Sequence, residues 1–396
     1  MTDTWLTTPD DTDFPIGNLP YGVFSTAALS PRIGVAIGDH VLDLRAVIAD
    51  PVFAATTLNA FLRTGPVRWR ATRDRVTELL TQPSYRDQVT PHLYHRAEVR
   101  LHLPFEVSDY VDFYASRHHA MNLGRLFRPG MNPLPANWEY LPSGYHGRAG
   151  TVVVSGTPIV RPSGQYRPDQ HRPPRFGPSQ CVDIEAEIGF VVGVPSPQGQ
   201  RVAPSEFAQH VFGAVLVNDW SARDIQRWEY TPLGPFLGKS FATSISPWVV
   251  TLDALQAARI EGPRQLPSPL TYLQRAEPWG LDIDLEVHWN DTLVSRPPFA
   301  DMYWTADQQL AHLTANGAAL RTGDLFASGT ISGPEPQQRG SFVELTWDGA
   351  TPVTLRNGTT RSYLHDGDTV TIRATTNGTD GRRIGFGEVT GTITAY

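Results

Sequence analysis

Glycine and proline punctuate this chain so densely, 34 of each in 396 residues, that short strands joined by defined turns are favoured over a helical bundle. Each glycine inside a helix costs backbone entropy, and each proline removes an amide donor. The expected class is therefore mainly β, of the α+β type. Three hundred and ninety-six residues exceed one ordinary domain, so a main domain with a smaller companion is expected. Hydrophobic residues at 40% give it a sizeable core and argue against disorder.

The formal net charge of -7, with no dense run of Lys or Arg, argues against nucleic-acid or anionic-membrane binding. A small-molecule partner is expected instead. The single cysteine, Cys181, rules out an internal disulfide, and the N-terminal residues have no signal-peptide pattern. No apolar run reaches membrane-spanning length, and the expected location is the cytoplasm. Asn357-Gly358-Thr359 and Asn377-Gly378-Thr379 read as turns between strands.

The first hundred residues combine strand-like pieces, such as Arg32–Ile37 and Val41–Leu44, with helical periodicity from Leu58 to Leu80, broken at Thr64-Gly65-Pro66. They carry no reactive constellation. Residues 1–103 are expected to form a small structural domain, and residues 104–396 a catalytic one.

In Val182-Asp183-Ile184-Glu185-Ala186-Glu187-Ile188-Gly189-Phe190 the apolar residues alternate with Asp183, Glu185 and Glu187. On a continuous strand these three carboxylates share a face about 6.8 Å apart, close enough for two to converge on one cation. Taken alone, the pattern also reads as the solvated face of a half-buried strand. Val211–Val217 is continuously apolar, as in a strand buried on both faces, and it delivers Asn218 and Asp219 at its end. Ser221 and Asp224 are spaced for a helix start, which sets Arg223, Gln226 and Tyr230 on one polar face.

Asp112 is a candidate N-cap for a helix carrying His118 and His119, which would set Asp112 and His119 on one face about 10.5 Å apart. Glu344 interrupts an apolar strand-like segment and could orient a histidine base. Arg161 to Pro178 is expected to be a surface loop. Gly234–Ser240 is one residue short of a phosphate loop, and Gly385-Phe386-Gly387 lies too near the C-terminus to open a dinucleotide unit. Gly238-Lys239-Ser240-Phe241-Ala242 resembles a nucleophile elbow, leaving a serine hydrolase using Ser240, with His365 or His119 as base, as an alternative.

Taken together, Asp13 to Thr26, Asp112 to Ala120, Leu141 to Arg148, Asn218 to Lys239 and Ser328 to Pro336 resemble the fumarylacetoacetate hydrolase family over nearly the whole chain. The resemblance implies an N-terminal SH3-like barrel, a C-terminal β-roll and a homodimer. It implies hydrolysis of a carbon-carbon bond in fumarylacetoacetate, the last step of tyrosine and phenylalanine breakdown. Another acyl-β-diketone or acylpyruvate, hydrolysed or decarboxylated at the same site, is the runner-up. The implied metal ligands are Asp112, Glu185, Glu187 and Asp219, for Ca²⁺ or Mg²⁺, leaving Asp183 without a role and needing no organic cofactor. A second cation is implied near Asp219, the Lys239 carbonyl and Thr243, although Ala242 stands where the family has glycine. His119 with Glu344 is the implied base. Arg223, Gln226 and Lys239 are implied for the oxyanion, and Tyr114, Arg128, Tyr145, Gln226, Tyr230 and Thr330 for substrate.

Overall fold

The computed structural model describes residues 4–169 and 171–396. An N-terminal antiparallel sheet runs in the order Leu93–His95, His40–Asp43, Arg32–Ile37, Tyr21–Ser25, Arg100–His102. The expected helical break is present: helices Asn59–Leu62 and Pro66–Thr81 flank Gly65, whose φ of 86° is left-handed.

The larger unit is built on an eight-stranded mixed sheet. Its path is Gly144–His146, Tyr110–Phe113, Leu325–Ala327, Ala186–Val192, Val211–Asp219, Thr243–Ile245, Val152–Val154, with Val250–Thr251 also on the long strand Val211–Asp219. A second sheet orders Thr292–Ser295, Asp284–Trp289, Thr369–Asn377, Arg383–Thr394 and Ile159–Val160. The fold is mostly β, in two units. Among the described residues no helix is long and apolar enough to cross a membrane.

The long strand is buried at every position, as its unbroken apolar run predicts. Its side chains divide between two cores, alternating from Ala214 onward, with Phe212 the extra residue at a bulge in the pairing with Ala186–Val192. Ala214 and Leu216 join Ile188 and Phe190 on one side, while Phe212, Val215 and Val217 pack on the other against Phe61, Leu62, Trp69 and Val76 of the N-terminal unit. Tyr110, Ala327 and Ile245 continue that second face. Two residues beyond Tyr110, Val217 and, across the register, opposite Thr243, the same face ends in Asp112 and Asp219. The sheet thus brings acids to the end of an apolar stripe.

Several local expectations give way to non-local partners. The helix carrying the histidines is Arg117–Phe127, capped by Ser116, whose hydroxyl accepts from His119 N at 3.3 Å. Asp112 is instead a strand residue, so the helical spacing from Asp112 to His119 does not apply. Ser221 is no N-cap either: Ser221–Ala222 pairs with Val182–Asp183, and the helix is Arg223–Glu229. Arg161 to Pro178 holds a hairpin, Ser163–Tyr166 against Arg175–Pro178. Phe342–Leu345 is a helical turn rather than a strand. Asn357-Gly358 does lie between paired strands, whereas Asn377 ends the strand Thr369–Asn377, paired with Arg383, and the turn begins at Gly378.

Candidate active site

The alternating segment is two strands, Val182–Asp183 and Ala186–Val192, separated at Ile184 and Glu185. Its three acids are all buried, so the solvated-face reading fails. The break also separates them. Glu185 and Glu187 join Asp112 and Asp219, with one oxygen from each of the four lying within 4.8 Å of all the others. Asp183 turns away, toward Arg223 and the amides of Phe342 and Val343.

Two cations neutralise part of this cluster. Lys239 Nζ lies 2.6 Å from Glu185 Oε2 and 2.9 Å from Asp219 Oδ2. Arg223 Nη1 donates to Glu185 Oε1 at 2.7 Å and to Gln226 Oε1 at 3.0 Å, so Arg223 and Gln226 do share a face. Thr243 and Tyr145 donate to Asp219 at 2.6 and 3.2 Å. Burial drives Asp112 and Glu187 well above the ordinary carboxylate range, and neighbouring acids add to the rise. Burial also raises Asp219, against the pull of Lys239. For Glu185 burial is outweighed by Lys239 and Arg223, which hold its carboxyl far below that range.

Lys239 pairs within this cluster and Arg223 is shared between Glu185 and Asp183, so the four carboxylates carry an excess of negative charge that a divalent ion would offset. Asp112 Oδ1 and Glu187 Oε1 are buried without a hydrogen-bond partner among the described residues. Orphaned buried oxygens of this kind are costly in an apolar setting and suit a hard cation. The donor set is all oxygen, with neither His nor Cys, which fits Ca²⁺ or Mg²⁺ better than zinc. Ala242 is buried in the hydrophobic core.

His119 Nδ1 lies 2.7 Å from Glu344 Oε2, which also accepts from Ser332 and Ser341 at 3.0 and 2.7 Å. Asn122 donates to Glu344 Oε1 at 3.0 Å. Burial would raise the Glu344 carboxyl, but His119 and these hydrogen bonds bring it below its usual value. Because Glu344 holds Nδ1, Nε2 is the ring nitrogen left for proton transfer. Sequence reasoning missed Asn122, Ser332 and Ser341. Asn122 was within reach, three residues from His119 on one helix face; the two serines become partners only through the fold.

Acids and dyad meet in one cavity of about 340 Å³. Its wall includes Asp112, Glu185, His119, Arg223, Gln226 and Lys239, and, of the expected substrate contacts, Tyr114, Arg128, Tyr145, Tyr230 and Thr330. Glu187, Asp219, Thr243 and Glu344 stand behind it. Leu123, Phe127 and Leu233 add an apolar side that the motifs did not reveal. Thr330 Oγ1 is buried and lacks a partner among the described residues.

The nucleophile-elbow reading fails on backbone geometry. An elbow runs from strand to helix, whereas Ser240 lies in a turn leading into the strand Thr243–Ile245. Ser240 is not among the residues lining the cavity that holds His119, and His365 is exposed.

Residues 17–104 match the family model described as fumarylacetoacetase N-terminal, and residues 109–394 match that of the fumarylacetoacetate (FAA) hydrolase C-terminal. Human fumarylacetoacetase is 48% identical over 412 residues, covering 98% of both chains. The Arabidopsis thaliana fumarylacetoacetase is 46% identical over 406 residues, covering 97% of this chain and 96% of its own. Among solved structures, a fumarylacetoacetate hydrolase from Exiguobacterium antarcticum superposes with a TM-score of 0.57 at 19% identity, covering 96% of this chain and 100% of that one. A Sphingobium maleylpyruvate hydrolase, solved with manganese (II) ion and pyruvate, gives 0.54 at 16% identity, covering 95% and 99%.

Proposed function

Since the chain belongs to the fumarylacetoacetate hydrolase family, we propose that it hydrolyses the carbon-carbon bond of fumarylacetoacetate, releasing fumarate and acetoacetate in tyrosine and phenylalanine catabolism. The observation that carries this reading is the convergence of a buried four-carboxylate cluster and a His119–Glu344 dyad on one cavity.

Asp112, Glu185, Glu187 and Asp219 would hold a Ca²⁺ or Mg²⁺ ion. When bound, that ion supplies Lewis-acid polarisation of the diketone oxygens. His119 Nε2 takes a proton from water, whose oxygen bonds to the carbonyl carbon beside the breaking bond. That carbon-carbon bond then breaks, its electron pair leaves on acetoacetate as an enolate, and the imidazolium returns the proton to it. Glu344 stabilises the imidazolium so formed. Lys239, Arg223 and Gln226 line the wall where negative charge develops on oxygen, and fixed donors there need no reorganisation during the reaction. Arg128 suits a terminal carboxylate, because a planar guanidinium binds it in bidentate fashion. Tyr114, Tyr145, Tyr230 and Thr330 complete the substrate contacts, and the unpaired Thr330 hydroxyl is free to bond a substrate oxygen.

The same reading takes residues 1–103 as an SH3-like structural domain and residues 104–396 as the catalytic β-roll, in a cytoplasmic homodimer. The five-stranded N-terminal antiparallel sheet supports the former. A second cation beside Asp219, the Lys239 carbonyl and Thr243 belongs to this proposal. Ala242 offers it no side-chain oxygen.

The test mixes purified protein with fumarylacetoacetate and follows loss of its ultraviolet absorbance, with and without chelator, in wild type and His119→Ala. Chelation is expected to abolish the rate, and added Ca²⁺ or Mg²⁺ to restore it. Independently of turnover, an ion at a hundred times its Kd stabilises by about 2.7 kcal/mol, or about 3 °C in Tm for a chain of this length. Absence of turnover by metal-loaded wild type overturns the assignment. A full rate in His119→Ala overturns only the base. A higher kcat/KM for an acylpyruvate would move the substrate to the runner-up.

A further inference from the structure

Asp183 is fully buried and takes no part in the cavity wall, yet it accepts four hydrogen bonds. Oδ1 accepts from the amides of Ile184 and Phe342, both at 2.7 Å. Oδ2 accepts from Arg223 Nε at 2.7 Å and from Val343 N at 3.1 Å. Phe342 and Val343 open the helical turn that carries Glu344. The first amides of a helical turn need acceptors, normally supplied by the N-cap side chain. Here the N-cap residue, Ser341, makes no such bond and donates to Glu344 instead. A carboxylate from a strand some 160 positions away fills that place.

We infer that Asp183 is a positioning residue that ties the two charged halves of the site together, holding the Arg223 guanidinium with one oxygen and the Glu344 turn with both. Arg223 presents Nε to Asp183 and Nη1 to Glu185 and Gln226, so Asp183 sets the angle of its planar fork. On the other side, the Phe342 and Val343 amides fix where Glu344 meets His119. All four groups facing Asp183 are donors. An asparagine there can satisfy the donors on only one side, and its NH₂ must confront either Arg223 Nε and Val343 N or Ile184 N and Phe342 N. Whichever way it turns, the Glu344 turn loses one of its two bonds, and with the NH₂ at the Oδ2 place Arg223 loses its bond as well.

This inference rests on the proposed hydrolase reading, and its test is arranged to fail separately. In Asp183→Asn, kcat for fumarylacetoacetate is expected to fall about 10²-fold, the cost of a small displacement of catalytic groups, with KM moving less than about threefold. In a Glu344→Gln background the same change is expected to cost less than about tenfold, since the two act as a unit. A second readout needs no substrate. The proton on His119 Nδ1, held 2.7 Å from Glu344, should resonate far downfield in the ¹H spectrum, and Asp183→Asn should shift or broaden it. Equal losses in both backgrounds, an unchanged kcat or an unmoved proton overturn the inference. If Asp183→Asn does not fold, Asp183→Glu, which keeps the charge on a longer stem, enters the same comparison. Loss of the fold in both variants assigns Asp183 to stability and also overturns it. Inert wild type overturns the hydrolase reading, and the proton readout then still decides the role of Asp183.

Discussion

Replacing Glu344 by Gln removes a charge while sparing the geometry that surrounds it. Oε2 receives three donors, from His119, Ser332 and Ser341, whereas Oε1 receives only Asn122 Nδ2. The glutamine oxygen therefore takes the Oε2 place and its NH₂ the Oε1 place, and Asn122 turns its amide over to accept. His119 keeps both its orientation and its tautomer. What disappears is the attraction between a carboxylate and the imidazolium that forms as the water proton is taken. Two unit charges about 4 Å apart attract by about 4 kcal/mol at an effective dielectric of about 20. The glutamine dipole recovers about 1 kcal/mol of that, as an ordinary neutral hydrogen bond does. The remaining loss of about 3 kcal/mol corresponds to roughly a 10²-fold fall in kcat. Glu344 does not line the cavity, so KM is expected to move less than about threefold. Steady-state loss of substrate absorbance, with melting curves to show that the fold is intact, measures both. A kcat within about fivefold of wild type would refute charge stabilisation by Glu344, whatever else the residue does. Asn122→Ala, which removes one hydrogen bond to the carboxylate, should cost only about fivefold.

Ser240→Ala should leave kcat within about twofold of wild type, because no elbow presents its hydroxyl; inactivation would revive the serine hydrolase. Gly124 sits in the histidine helix where an added Cβ would collide with the Pro133 carbonyl, the acceptor of Arg128 Nη2. Gly124→Ala should destabilise by about 1 to 3 kcal/mol, read as a lower Tm, and raise KM by moving Arg128; an unchanged KM would detach Arg128 from substrate binding. Burial pushes the Asp307 carboxyl up to about 6, above an unfolded value of about 3.9. The folded state thus holds this proton more tightly. Its contribution is greatest below about pH 4, falls by about 2 to 3 kcal/mol as pH rises to about 6, and is level above that. Asp307→Asn should flatten this part of the profile of Tm against pH, and an unaltered slope would count against the raised value.

The sequence by itself determined the features whose physics is local. An unbroken apolar run from Val211 to Val217 is a doubly buried strand wherever it sits, and it necessarily delivers Asp219 at its end. Helical spacing with a Gly-Pro break located the paired helices Asn59–Leu62 and Pro66–Thr81. The motifs also named the acids and the dyad. Three errors share a cause. Asp112, Ser221 and the Asp183–Glu187 alternation were each read by neighbours in the chain, whereas their conformations are set by partners far along it. Tyr145 stands opposite Asp112 in the sheet, Asp183 opposite Ser221, and Phe342 and Val343 on Asp183. A backbone amide or buried carboxylate must find a partner, and local pattern does not tell which distant group provides it. Only the tertiary structure could set His119 against Glu344 across 225 positions, or give Asp183 a task different from that of Glu185 and Glu187.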